Sequence, residues 1–406
     1  MPATEQPAAS EKGARLHVLT LTPFFPSSRN PIDGCFVAEP IDEFSNHGVD
    51  STGVAVSSIY RGRNQSVWPS RAVWLRYPAV PGIPGLSSSG FMLYGRLAKR
   101  ISRLHQIKPI DVIHAHTAMP CGHAAQLLGR RLGIPFVVTV HGLDAFNSCA
   151  EDGIGARWRR QRSIEVYSAA SKVICISSRV ESVIKTSAPE IATCVIYNGV
   201  DTTLFVPHSD LPQPPVPEIL AVGSLLPSKG HGVLLTAVSR LKPAFPDLRC
   251  RIIGEGPNRG EFENLAHKLG IEKQVQFLGR QTRAQVAEAM QRCSVFVLPS
   301  SNEGLGCVYL EAMACGKPII GCRGQGIDGV VEHGKNGLLV PPDGLEELVQ
   351  ELSTLIRSPE LGRQIGTAGR ETVMQKFTLV HQAEQLVSVY RQAIATRVER
   401  KSESRS

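Results

Sequence analysis

Glu303 and Glu311 flank the segment Glu303-Gly304-Leu305-Gly306-Cys307-Val308-Tyr309-Leu310-Glu311, which follows the apolar, strand-like run 294–298. Gly304 and Gly306 let the backbone come close to a ligand, and the helix they introduce points its free amides and the positive end of its dipole at an anion. A phosphate is the natural guest. Glu303, in the turn, can accept hydrogen bonds from hydroxyls near that phosphate, while Glu311, on the helix, can accept from hydroxyls further away. A sugar nucleotide carries both sets. Lys229 adds a cation: it ends the loop 221–230, in the first turn of a predicted helix. A lysine there opposes the helix dipole, which makes it a poor structural choice and a good phosphate ligand.

Continued through Ala312-Met313-Ala314-Cys315-Gly316-Lys317-Pro318, the segment resembles, nearly residue for residue, the donor-site signature of the retaining GT-B glycosyltransferases of the large family 4. Asn198-Gly199-Val200-Asp201 through Phe205 resembles the piece that precedes the hinge in the same family, so the likeness spans residues 15–398. It implies an α/β fold of two doubly wound Rossmann-like (GT-B) domains facing across a cleft. The C-terminal domain holds a nucleoside-diphosphate sugar and the N-terminal domain the acceptor. Glu303 then holds sugar hydroxyls, Glu311 holds the ribose, and Lys229 with the backbone of Gly304, Leu305 and Gly306 holds the diphosphate. Attack comes from the face the leaving group departs, without a protein nucleophile, a metal or any cofactor beyond the donor.

The same resemblance nominates further positions. The family usually has an arginine where this chain has Ser224, which leaves the diphosphate one cation short unless the Ser224 hydroxyl or Arg323 compensates. Gly254, in Ile253-Gly254-Glu255-Gly256-Pro257, lines the nucleotide cleft, and Arg280 lies near the base. Gly34, at the end of the long loop after the first strand, reaches toward the donor phosphate. His141 ends the apolar run 136–140, where ligands of doubly wound domains gather, and the family places a histidine there close to the transferred sugar. The stretch 324–340 matches the family signature only in part, and its Gly324-Gln325-Gly326 resembles the teichuronic-acid-type polysaccharide transferases. The glycines from Gly254 to Gly260 do not make a dinucleotide fingerprint: the spacing has one residue too many, and 22–33 holds no glycine. That disfavours a nicotinamide dehydrogenase.

The elements that must position these residues alternate along the chain. Apolar runs at 16–21, 112–115, 136–140, 173–176 and 195–197, then at 219–222, 251–253, 275–278, 295–298, 319–320 and 338–340, predict buried parallel strands with helices between them. At 406 residues the chain is too long for one ordinary core. The Pro-rich stretch 207–217 can neither continue a helix nor pair in a central strand, so it reads as the linker. The expected organisation is a disordered tail at 1–14, an acceptor domain at 15–206, a nucleotide-sugar domain at 218–378, a helix crossing back at 379–398 and a disordered tail at 399–406.

An apolar fraction of 42% fits a globular protein, and neither a membrane-length apolar run nor an apolar core in 1–13 is visible, so the expected location is the cytoplasm. Ten scattered cysteines without a Cys-x-x-Cys pair read as reduced structural thiols. His114 and His116 share a strand face and could be metal ligands, but no carboxylate or cysteine stands near at ligand spacing, and strand-end hydrogen bonding is the commoner role. The net charge of +8 is concentrated at Arg96, Lys99, Arg100 and Arg103 and at Arg157-Trp158-Arg159-Arg160-Gln161-Arg162. Such clusters are solvated helix faces by default. The sharper reading is attachment to anionic lipid, at the inner face of the cell membrane, where lipid-linked glycan acceptors are presented. Nucleic acid is not expected, since no binding motif accompanies the charge. The competing readings are a GT-B phosphorylase, a sugar-nucleotide epimerase or a catalytically silent binding protein; no lysine-linked cofactor motif is visible, and the polar site residues are all present.

Overall fold

A computed structural model describes residues 15–28, 30–60, 65–69, 72–79, 83–142, 154–208 and 216–403. The first domain runs β1 (Leu16–Thr22), α1 (Cys35–Glu43), β2 (Val49–Ser58), β3 (Val73–Tyr77), α2 (Ile83–Ile107), β4 (Val112–His116), α3 (His123–Leu132), β5 (Phe136–Val140), α4 (Ile154–Ala169), β6 (Lys172–Cys175), α5 (Ser178–Ser187) and β7 (Thr193–Val195). Its seven strands form one sheet in the order β3-β2-β1-β4-β5-β6-β7, every neighbouring pair parallel. Helices cover both faces, so central strands are apolar on both sides: every residue of β5 is buried.

The second domain runs β8 (Glu218–Val222), α6 (His231–Leu241), β9 (Arg249–Ile253), α7 (Arg259–Lys268), β10 (Val275–Gly279), α8 (Arg283–Arg292), β11 (Val295–Val297), α9 (Cys307–Ala314), β12 (Ile319–Cys322), β13 (Leu338–Val340), α10 (Leu345–Arg357) and α11 (Pro359–Lys376). Its six parallel strands are ordered β10-β9-β8-β11-β12-β13. α12 (Leu379–Glu403) then returns to the first domain. Ala383, Leu386, Val387, Tyr390 and Ala393, one face at helical spacing, pack in a single cluster with Val18, Val112, Val137 and Ile174. The root of α12 is tied to the end of the first domain: Val200 bridges Thr378, and the amide of Gly199 donates to Gln382 Oε1 at 2.8 Å.

Three expectations need correction. β2 and β3 escape an apolar-run search, because Asp50, Ser51, Thr52 and Gly53, half-buried or small, interrupt one and Arg76 the other; both lie toward the sheet edge. The strand expected at 195–197 is β7, two residues earlier. Residues 399–403 are helical, not a tail, since no glycine or proline follows Leu379 to stop α12 and Arg397 Nε anchors it on the Gly133 carbonyl at 3.1 Å. The tail at 1–14, linker residues 209–215 and the last three residues lie outside the described residues.

Candidate active site

Each sheet reverses its strand order beside its first strand, between β1 and β4 and between β8 and β11. Ligands of doubly wound domains collect at the carboxyl ends of strands around that point. The loops leaving β1, β5, β8 and β11 carry Gly34, His141, Lys229 and Glu303, so the two crevices supply all four.

The loop after β11 is held from beneath. Gln325 Oε1 accepts the amides of Asn302 at 2.7 Å and Glu303 at 3.0 Å, and the Gly326 amide donates to the Glu303 carbonyl at 3.1 Å. Gly326 packs so closely that a Cβ on it would strike the Gly304 carbonyl and lie 2.6 Å from Leu305 Cα. Gly306, at φ 78°, opens α9 with no side-chain cap; the Tyr309 amide turns back to the Gly306 carbonyl at 3.0 Å, and among the described residues the Cys307 and Val308 amides before it have no partner. Tyr309, fully buried, donates its hydroxyl to the Leu298 carbonyl and locks α9 onto the strand that precedes it.

Lys229 ends a short 3-10 turn and donates from Nζ to the Glu303 carboxylate, which also accepts from Ser300 Oγ at 3.2 Å. Cation and carboxylate therefore stand together at the end of β8. Ser224 is exposed in the same loop, its carbonyl accepting the Leu226 amide at 2.8 Å. Gly254 packs on the Gly223 carbonyl and donates its amide to Gly279 at 2.9 Å, so strand-end packing alone requires glycine there. Arg280 is exposed just beyond β10.

In the first domain Gly34 caps α1 at φ 77° against the backbone of Phe24 and Phe25, where a Cβ would collide. The contact folds the loop back so that Phe24 and Phe36 flank His141, with centroid distances of 5.6 and 4.9 Å. His141 Nε2 is 2.9 Å from His116 Nδ1, and the two rings stack. His114, its ring tilted against that of His116 with centroids 4.4 Å apart, shares hydrogen bonds of 2.7 Å with the Tyr390 hydroxyl and with Thr139 Oγ1. Burial pushes His114 and His141 down to about 3 and His116 far below its ordinary value, so all three rings are neutral near pH 7. Among the described residues no group of three His, Cys, Asp or Glu side chains is placed to hold a metal ion.

The domains meet at the site. Ser177 Oγ, from the end of β6, donates to the Gly304 carbonyl at 2.5 Å, and a Cβ on Gly304 would lie 2.8 Å from the His141 carbonyl. Deeper, Arg283 on α8 pairs with Glu39 of α1 and with Glu311 of α9, the latter at 3.0 Å. Burial pushes Glu39 up to about 8 against the pull of Arg283, and raises Glu311 in the same way.

The comparisons with known proteins agree with this arrangement. Residues 41–204 match the family model described as Glycosyltransferase Family 4, and residues 209–372 match Glycosyl transferases group 1. The chain is 32% identical over 262 residues to an uncharacterised glycosyltransferase of Methanocaldococcus jannaschii, covering 64% of this chain and 70% of that protein. The chain belongs to the family 4 glycosyltransferases. Sucrose-phosphate synthase from Thermosynechococcus elongatus superposes with a TM-score of 0.75 at 22% identity, over 94% of this chain and all of that one. Anabaena HepE in complex with UDP-glucose superposes with a TM-score of 0.71 at 20% identity, over 92% of this chain and 99% of its own. These two likenesses establish the GT-B fold.

Several residues of the candidate site escape sequence reading. Gln325 sits in the stretch that matches the signature only in part, yet it shapes the Glu303 turn. Arg283 and Glu39 lie in amphipathic helices where a charge reads as solvated surface, and only a burial pattern in three dimensions separates them from their exposed neighbours. Ser177 caps α5, accepting the Val180 amide at 3.3 Å, and its second bond, to the Gly304 carbonyl, exists only in the folded chain. A cavity of about 570 Å³ between α3, α4 and α12, lined by Arg130, Tyr167, Glu190 and Arg397, opens at the far end of the first sheet and contains none of the nominated residues.

Proposed function

We propose that this enzyme transfers a sugar, with retention of anomeric configuration, from a UDP- or GDP-sugar to a hydroxyl of a glycan or lipid-linked glycan in cell-surface polysaccharide biosynthesis. The Lys229 and Glu303 pair beside the uncapped start of α9 carries the reading. An ammonium has three protons, so Lys229 can keep its bond to Glu303 and still offer two to diphosphate oxygens. As the bond from sugar to diphosphate breaks, negative charge grows on those oxygens, and the fixed cation and the amides of Gly304 to Gly306 stabilise it without reorganising. Glu303, steered by Lys229 and Ser300, accepts from hydroxyls of the sugar whose ring becomes oxocarbenium-like. Glu311 accepts from the ribose. His141, neutral and wedged between Phe24 and Phe36, offers a hydrogen bond to the transferred sugar rather than a charge.

HepE, which shares the fold, has been crystallised with UDP-glucose, and that supports a nucleotide-sugar donor. The reaction needs no divalent cation in this reading, because Lys229 and the helix-end amides take its place. No helix among the described residues is long and apolar enough to cross a membrane, and the basic face of α2 is the proposed contact with anionic lipid.

Thermal-shift screening against UDP- and GDP-sugars tests the donor, since a ligand bound only by the folded state raises the melting temperature. NMR of the product's anomeric centre then reads retention or inversion. An inverted product overturns the mechanism, and loss of activity on chelation that added metal restores overturns its metal independence.

A further inference from the structure

Arg283 begins α8, where Thr282 and Gln285 form a capping box that fixes its backbone. Its side chain is only 15% exposed and is placed by contacts from three directions. One nitrogen pairs with Glu39 of the first domain; the other donates to Glu311 at 3.0 Å and to Cys35 Sγ at 3.2 Å. Its plane lies over the ring of Phe205, 5.0 Å from the centroid. Phe205 is fully buried just ahead of the interdomain linker, so the guanidinium sits where the two domains are joined.

A bridge between domains needs one carboxylate, and here a single cation faces two, both nearly sealed from water. The second oxygen of Glu311 accepts no hydrogen bond from the described residues and is not among the sealed, unpartnered polar atoms. One oxygen of Glu311 is thus fixed by Arg283 and the other is free to accept. Each carboxylate receives a single nitrogen, and the rigid, planar guanidinium holds those two nitrogens at a fixed separation, which the lone ammonium of a lysine cannot do.

We infer that Arg283 is a positioning residue of the donor site: anchored across the domain boundary by Glu39, it orients the Glu311 carboxylate so that its free oxygen receives a hydroxyl of the donor's ribose. The inference rests on the assignment of Glu311 to the ribose. It makes the ribose contact depend on α1 of the acceptor domain, so recognition of the nucleotide and the approach of the two domains share one guanidinium.

The test compares UDP with 2′-deoxy-UDP, and GDP with 2′-deoxy-GDP, by calorimetric titration of the full chain. A hydrogen bond to a charged acceptor gives wild type a preference for the ribonucleotide of about tenfold or more. Glu311→Gln lowers this preference, and Arg283→Met should lower it to about threefold or less while affinity for the deoxynucleotide stays close to wild type. Glu39→Ala, which leaves Arg283 and Glu311 untouched and guards against a misfolded arginine variant, should also lower it; Glu39→Gln, which keeps an acceptor oxygen, should restore it. A preference that collapses in Glu311→Gln but survives in Arg283→Met or in Glu39→Ala overturns the inference and leaves the ribose assignment standing. No preference in wild type, or none lost in Glu311→Gln, removes the ribose assignment and the inference with it.

Discussion

Lys229 donates directly to the carboxylate of Glu303, so the cation assigned to the diphosphate and the acid assigned to the sugar are one ion pair at the end of β8. Neither is a surface charge: their side chains are 23% and 14% exposed. Removing either one leaves the other without its counter-charge in a half-dry cleft, Glu303 keeping only its bond from Ser300 Oγ, which couples their effects.

Lys229→Ala and Glu303→Ala should each lose about 2 to 4 kcal/mol of transition-state stabilisation in kcat/KM, the scale of other preorganised polar groups, with the fold intact. The double variant should lose less than the sum, because each single change already disables part of the pair. Steady-state kinetics with thermal unfolding as a control measures both quantities. Wild-type turnover in either folded variant, or strict additivity, contradicts the pairing.

The donor segment could be read from sequence because its chemistry is local: glycines, glutamates and a helix start lie within nine residues. The parallel strands were legible for a similar reason, since burial on both faces forces continuous apolar runs such as Phe136-Val137-Val138-Thr139-Val140. What stayed hidden is long-range. His116 and His141 form a hydrogen bond only because β4 and β5 are neighbours in register, with His116 opposite Thr139. Gly34 was nominated for the phosphate; its φ and its contact with Phe24 and Phe25 give the glycine a structural reason of its own.

The buried histidines should make the protein less stable in mild acid. Their folded-state values lie below the ordinary value of about 6.5, so between those limits the unfolded chain binds more protons than the native one. Stability from this source is therefore complete above about pH 6.5 and is lost as the pH falls toward the folded values. His114→Gln keeps polar atoms near Thr139 and Tyr390 and removes one proton-binding site from the unfolded chain. Its urea midpoint should fall less than that of wild type between pH 7 and pH 5. An identical fall in both proteins shows that His114 is not held neutral.

Gly326→Ala probes the support under Glu303. The added methyl meets the Gly304 carbonyl and Leu305 Cα, both backbone, so the turn carrying Glu303 must shift. Overpacking of this kind destabilises by about 1 to 3 kcal/mol. The effect on catalysis should be larger, on the order of a hundredfold in kcat/KM, because small displacements of positioned groups are magnified in the rate. Melting temperature and kcat/KM measured together separate the two. A variant that melts lower and turns over normally shows that the Glu303 turn tolerates the shift.

The basic surface divides into two unequal parts. On α4, Arg162 is paired with Glu165 at 2.8 Å and lies over the Trp158 ring, and Trp158 itself is partly buried, which weakens it as an interfacial anchor. On α2, Arg96, Lys99, Arg100 and Arg103 recur at helical spacing and are all exposed, and Phe91 on the same helix is 65% exposed. Each such charge near an anionic bilayer contributes about 1 kcal/mol, so four on one face suffice for reversible, salt-sensitive binding. The protein should co-sediment with anionic but not neutral vesicles at low salt. Changing the four α2 residues to glutamine should abolish this, with donor binding unaltered, and changing Arg157, Arg159, Arg160 and Arg162 should reduce it less. Equal sedimentation of wild type and the α2 variant, or none by either, leaves α2 as an ordinary solvated helix.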